Sequence, residues 1–153
     1  SHVLEHVPET GLALSNLHRV VAPDGVVFLM VPLLQGRTAP PVEVEYHGDQ
    51  TLVYWRFGWD LAELASNAGF ATTALVTSDL KRRALENDPW GHNEAGVESH
   101  AVLEGARERA GSLTVVADEA ASAWYGFLPS YFFVVWECRP KRVEALSQSG
   151  ASG

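Results

Sequence analysis

His2, Glu5 and His6 fall within one short segment, Ser1-His2-Val3-Leu4-Glu5-His6-Val7-Pro8. An unperturbed imidazole titrates near neutral pH, so His6 or His2 is suited to remove a proton from a substrate. The same residues offer two imidazole nitrogens and a carboxylate, a donor set that also serves metals. Farther on, His47 stands in an irregular stretch with Glu43 and Glu45, followed by Tyr54-Trp55-Arg56-Phe57-Gly58-Trp59. There Arg56 is suited to an anionic group, and the aromatics with Trp59 to a substrate wall, which makes His47, Arg56 and Trp59 the candidate substrate-binding residues. Each has a plainer alternative. His6 serves equally as a hydrogen-bonding loop residue, Glu5 as a favourable charge at a helix N-terminus, and at least half of the aromatics as packing between loop and sheet. Glu43 and Glu45 are expected to be solvated. His92 and His100, with Glu94 and Glu98, lack compact ligand spacing and are expected on the surface.

These side chains depend on the elements around them. Residues 9–21 place Leu12, Leu17, Val20 and Val21 on one stripe with Leu14 beside it, an amphipathic helix entered through Pro8. Ala22-Pro23-Asp24-Gly25 ends it. The apolar run 26–31, closed by Pro32, has the pattern of a central strand covered on both faces. Residues 33–50 lack periodicity and form a long loop, a candidate lid. The pattern turns helical over 59–68, with Asp60 as N-cap and Gly69 as the stop, and 70–77 is a strand rich in Thr, Val and Leu. Residues 79–112 are an insertion with one helix near 97–109. A short strand at 113–116, a short helix at 119–124 and a buried strand at 131–137 follow, and 146–153 are a flexible Ser/Gly/Ala tail. The order of elements is α/β.

Composition sets further bounds. The 153 residues suffice for one hydrophobic core, with 46% apolar content. Nineteen acidic against eleven basic side chains give a net charge of -8, which argues against nucleic acid as a partner, since phosphate binding needs clustered Lys and Arg. No apolar run approaches the roughly 20 residues that span a bilayer, so no membrane partner is expected. Cys138 is the single cysteine and has no internal disulfide partner, and no signal sequence is visible; a cytoplasmic location is expected. The single Met is Met30 and residue 1 is Ser, the mark of a processed, truncated or partial chain.

Three pieces in register resemble the second half of a class I S-adenosylmethionine-dependent methyltransferase, of the type 11/12 kind. They are Ser1-His2-Val3-Leu4-Glu5-His6-Val7-Pro8, then Leu17-His18-Arg19-Val20-Val21, then Ala22-Pro23-Asp24-Gly25 leading into the run at 26–31. Tyr54-Trp55-Arg56-Phe57-Gly58-Trp59-Asp60-Leu61, before a helix closing with Ala68-Gly69-Phe70, is similar to a later segment of that family. The resemblance covers residues 1–78, with 131–137 as a looser match. It implies that residues 1–145 form the C-terminal half of a Rossmann-like methyltransferase sheet, mostly parallel with an antiparallel last strand. Ser1 and His2 would then lie at the carboxyl edge of the sheet and face the cofactor S-adenosylmethionine, with His6 as the catalytic base and a small molecule as methyl acceptor.

The family's glycine-rich loop, its acidic ribose-binding residue and its adenine-recognition segment are missing from these residues, so cofactor binding is expected only in a full-length parent. A second reading is a non-catalytic binding or assembly module derived from the fold, whose open sheet edge would favour a homo-oligomer. A third is a metal-dependent hydrolase, because His2-Val3-Leu4-Glu5-His6 has the His-x-x-Glu-His form of inverted zinc peptidases; Pro8 leaves little room for the helix this needs. Some quinone-biosynthetic O-methyltransferases are similar at Glu5 and His6, where a Glu-x-x-Glu-His arrangement holds a divalent cation. His2 in place of the first Glu fits a hard cation poorly, and no metal ligand is assigned.

Overall fold

The computed structural model describes residues 2–33, 35–48, 50–78, 80–82, 96–117 and 133–142. Ser1, the expected helix at 119–124 and the tail at 146–153 lie outside the described residues. The chain enters through a 3-10 turn, Leu4–His6, and helix α1, Thr10–Val20. Strand β1, Val27–Pro32, follows the Pro23-Asp24-Gly25 turn. A small hairpin comes next, β2 Glu45–Tyr46 against β3 Leu52–Val53. Helix α2, Leu61–Asn67, leads into β4, Phe70–Thr77, and helix α3, Gly96–Glu108, into β5, Thr114–Ala117. The last strand is β6, Phe133–Pro140.

The main sheet has the order β1-β6-β4-β5. The last strand runs antiparallel to both neighbours, β1 and β4, while β4 and β5 pair in parallel through the α3 crossover. Three strands therefore share a direction and the last opposes them. Because β6 sits inside the sheet, only one adjacent pairing is parallel, and the architecture is a mixed α/β sheet. In β6, Val134, Trp136 and Cys138 are buried while Val135 and Glu137 are partly covered, the two-residue period of a strand with one well-packed face.

Two expectations change here. The run at 26–31 was expected to be central, but among the described residues β1 is an edge of the sheet, and Phe28 on it is 56% exposed. The helix within the expected insertion at 79–112 is no excursion. Val102 and Ala106 of α3 are fully buried in the same core as Trp59, Phe70 and Val134. Helix α2 lies between α1 and β4. It stops where expected, at Gly69, whose φ of +99° favours glycine. Asp60 is its N-cap residue without capping it through the side chain, because Oδ1 instead accepts from the backbone N and hydroxyl of Thr38, both at 2.7 Å. That bond is one of the anchors of the stretch 33–50, which is less free than a lid. Isolated bridges join Leu33 to Phe57 and Ala39 to Arg56.

Candidate functional site

The Leu4–His6 turn is fixed from one side by the segment that leaves β3. The backbone amides of Tyr54 and Trp55 both donate to the Glu5 carbonyl, at 2.8 and 3.3 Å. The Trp55 indole donates to the Pro8 carbonyl at 2.9 Å, and His6 Nδ1 donates to the Leu52 carbonyl at 2.8 Å. With its carbonyl turned toward this strap, Glu5 directs its side chain inward. The carboxylate is 3% exposed, and neither oxygen has a hydrogen-bond partner. Its nearest ionisable neighbours are His2 Nδ1 at 3.5 Å and His6 Nε2 at 4.0 Å, both measured to Oε1.

The β2–β3 hairpin carries His47 to the same point. Its turn closes through His47 N to Thr51 O, 3.0 Å, and Gln50 N to His47 O, 2.8 Å. His47 Nδ1 then lies 3.1 Å from His6 Nε2, with the two rings edge to face at 4.7 Å between centroids. The Leu52 carbonyl can only accept, which places a proton on His6 Nδ1 and, in the neutral ring, leaves Nε2 with a lone pair. That lone pair points at His47. Glu5, His6 and His47 each offer one ligand atom, and the three atoms lie within 4.8 Å of one another. Beside them is a cavity of about 10 Å³, lined by Glu5, Pro32, Glu45, His47 and Arg56 among others, at the carboxyl end of β1. A space that small holds a single ion or at most one water, not an organic acceptor.

The expected site residues therefore divide. His2, His6 and His47 come together, and Glu5, read from sequence either as a helix-terminus charge or as a metal donor, is the buried centre of the group. His6 Nε2, the nitrogen left for a base, faces His47 Nδ1 at 3.1 Å. His2 has its backbone N bonded to the Met30 carbonyl at 2.9 Å, a φ of +53° and a side chain 40% exposed. Arg56 is committed to Glu45, Nε to Oε2 at 2.8 Å with both side chains 26% exposed, so Glu45 is paired rather than solvated. Trp59 is no substrate wall. It is 1% exposed, donates from Nε1 to the Val102 carbonyl at 3.0 Å, stacks edge to face on Trp136 and is overlain by the Arg109 guanidinium. Gly105 of α3 lies so close to its ring that a Cβ there would collide with it. Ser1 is outside the described residues. The role of Glu5 had one sequence signal: it is the carboxylate between two histidines.

A second feature lies on the other side of the turn. An apolar groove of about 450 Å³ runs between α1 and β1, lined by Val3, Leu17, Val20, Phe28 and Met30 among others. Val3, Val20 and Phe28 are 63%, 70% and 56% exposed, a larger contiguous apolar opening than scattered surface residues explain. Among the described residues no helix is long and apolar enough to cross a membrane. The chain matches no protein-family model, no curated protein and no solved structure.

Proposed function

We propose that the chain is the C-terminal part of an S-adenosylmethionine-dependent methyltransferase acting on a small molecule. The observation that supports it most is the edge of β1. The His2 amide already bonds to Met30 there, as the end of a neighbouring strand would, and the apolar groove opens alongside it. Edges of this kind are covered in stable proteins. The antiparallel last strand is in keeping with the same reading. The net charge of -8 favours a metabolite over nucleic acid as acceptor, and a cytoplasmic setting belongs to the proposal.

The described residues do not fit the cofactor by themselves. Among the described residues Asn16 is the only polar side chain in the groove's lining, whereas a bound nucleoside needs an acidic partner for its ribose hydroxyls and a glycine-rich approach. Titration calorimetry of S-adenosylhomocysteine into this chain and into the full gene product tests the reading. Binding by the full product alone is expected. Binding by neither sinks the assignment and favours the assembly module; tight binding by the chain alone refutes the argument from the missing loop.

A further inference from the structure

We infer that Glu5, His6 and His47 bind a divalent transition-metal ion of the zinc or ferrous class, which fastens the β2–β3 hairpin to the Leu4–His6 turn. The inference rests on the geometry of the cluster and not on the methyltransferase reading. Its first support is the Glu5 carboxylate, 3% exposed with neither oxygen hydrogen-bonded. Such a group is costly whether ionised or protonated, and a cation satisfies both oxygens' need for a positive partner. The second is His6. Metal-binding histidines commonly donate their other ring N–H to a carbonyl or carboxylate, which fixes the tautomer, and His6 Nδ1 does this to Leu52 O.

The third support is spacing. Two ligands at about 2.1 Å from one ion, held at angles between octahedral and tetrahedral, are about 3.0–3.4 Å apart. His6 Nε2 and His47 Nδ1 are 3.1 Å apart. The ion takes the place of the proton these two nitrogens share, and His47 moves its own proton to Nε2. Around one tetrahedral ion no two such ligands exceed about 3.4 Å, so the widest gap in the cluster, within 4.8 Å, closes by a movement of up to about 1.4 Å, which the hairpin carrying His47 must supply. The cavity of about 10 Å³ beside the cluster is lined by Glu5 and His47 and has no room for a larger ligand.

The donor set selects the metal. Two imidazole nitrogens and one carboxylate oxygen suit zinc and the ferrous ion, whereas magnesium and calcium prefer oxygen throughout. Glu45 adds no second carboxylate, since Arg56 holds it. His47 arrives from the hairpin while Glu5 and His6 come from the turn, so the ion joins segments 41 residues apart.

The test uses the full gene product, freed of any affinity tag and stripped with a chelator. Cobalt(II) is titrated in while its visible absorption is followed, and zinc is then added as competitor. One saturable cobalt site that zinc displaces and excess magnesium does not is expected, weakened at least about tenfold in Glu5→Gln and in His47→Ala. His47 sits half-buried on the hairpin, so its variant keeps the fold, which circular dichroism verifies. Absence of saturable binding overturns the inference, as does cobalt affinity equal to wild type in both variants, or displacement by magnesium. The readout needs no cofactor, so its failure and failure of S-adenosylhomocysteine binding are separate results.

Discussion

Replacing Glu5 by Met should raise the stability of the metal-free protein while removing its ion site. Glu5 has two buried oxygens without a hydrogen bond, the nearest imidazole nitrogen being His2 Nδ1 at 3.5 Å, and each unmade hydrogen bond of a buried polar atom costs about 1–3 kcal/mol. Methionine is unbranched, similar in length and tolerant of irregular gaps. Replacing buried ionic groups by well-packed hydrophobic side chains of similar volume ranges from neutral to stabilising by about 1–4 kcal/mol. In a chain of this size each kcal/mol moves the melting temperature by about 2–4 °C, so a rise of several degrees is expected. The assay is thermal melting followed by circular dichroism at pH 8, where an ordinary imidazole is uncharged, with chelator and then with zinc. With chelator Glu5→Met melts above wild type; with zinc the gap narrows, because only the wild type gains from binding. A variant that melts below wild type in chelator would show that the carboxylate has a structural partner. Equal zinc shifts in both proteins would remove Glu5 from the site.

Trp59→Phe deletes the indole bond to the Val102 carbonyl and leaves a void between α3 and β6. A loss of about 1–3 kcal/mol in urea denaturation is expected, with cobalt affinity unchanged; weakened cobalt binding would return Trp59 to the site. Burial, and secondarily the Glu137 carboxylate, push the Cys138 thiol up from 9.0 to about 11. An unfolded chain ionises this thiol from its ordinary value, while the folded chain keeps the proton until about 11. Stability contributed by this group is therefore intact below the ordinary value and falls as pH rises through the window, by about 2–3 kcal/mol at most. The difference in urea midpoint between wild type and Cys138→Ala should change across that window, and a constant difference refutes the assignment.

Local pattern was enough for several elements. Strand β4 occupies Phe70–Thr77, as the run of Thr, Val and Leu indicated, and Asp60 and Gly69 bracket α2. These depend on the chemistry of neighbours in sequence. The place of β1 in the sheet does not. Six apolar residues read as a strand covered on both faces, yet Phe28 is mostly exposed because covering it takes a neighbour that the run itself does not specify. His2, Glu5 and His6 were legible as a group because they are adjacent. His47 was legible only as a polar residue in a loop. The strands that carry it onto His6, Glu45–Tyr46 and Leu52–Val53, are too short to leave a periodic trace. Trp59 shows the opposite error. An aromatic ahead of a helix says that a large ring must be placed, and only α3 decides that it goes inside.

Glu5 is where local and global preferences disagree. A carboxylate four residues before the helix-favouring stretch 9–21 belongs in solvent by its own chemistry, but the strap at 52–55 takes the Glu5 carbonyl and turns the side chain inward. Thr10 Oγ1 and Trp136 Nε1 are also buried without partners, but both are neutral groups whose burial costs less than that of a carboxylate. Glu5 alone of these is able to carry a charge, and it alone lies within reach of two imidazole nitrogens. Sequences that otherwise agree with their fold tend to break the rules at functional positions. A hydrophobic residue at position 5 would satisfy the same backbone bonds without the buried charge. A buried carboxylate at this position therefore weighs toward binding, and the convergence of His6 Nε2 and His47 Nδ1 on its side of the turn makes a cation the partner that answers all three groups together.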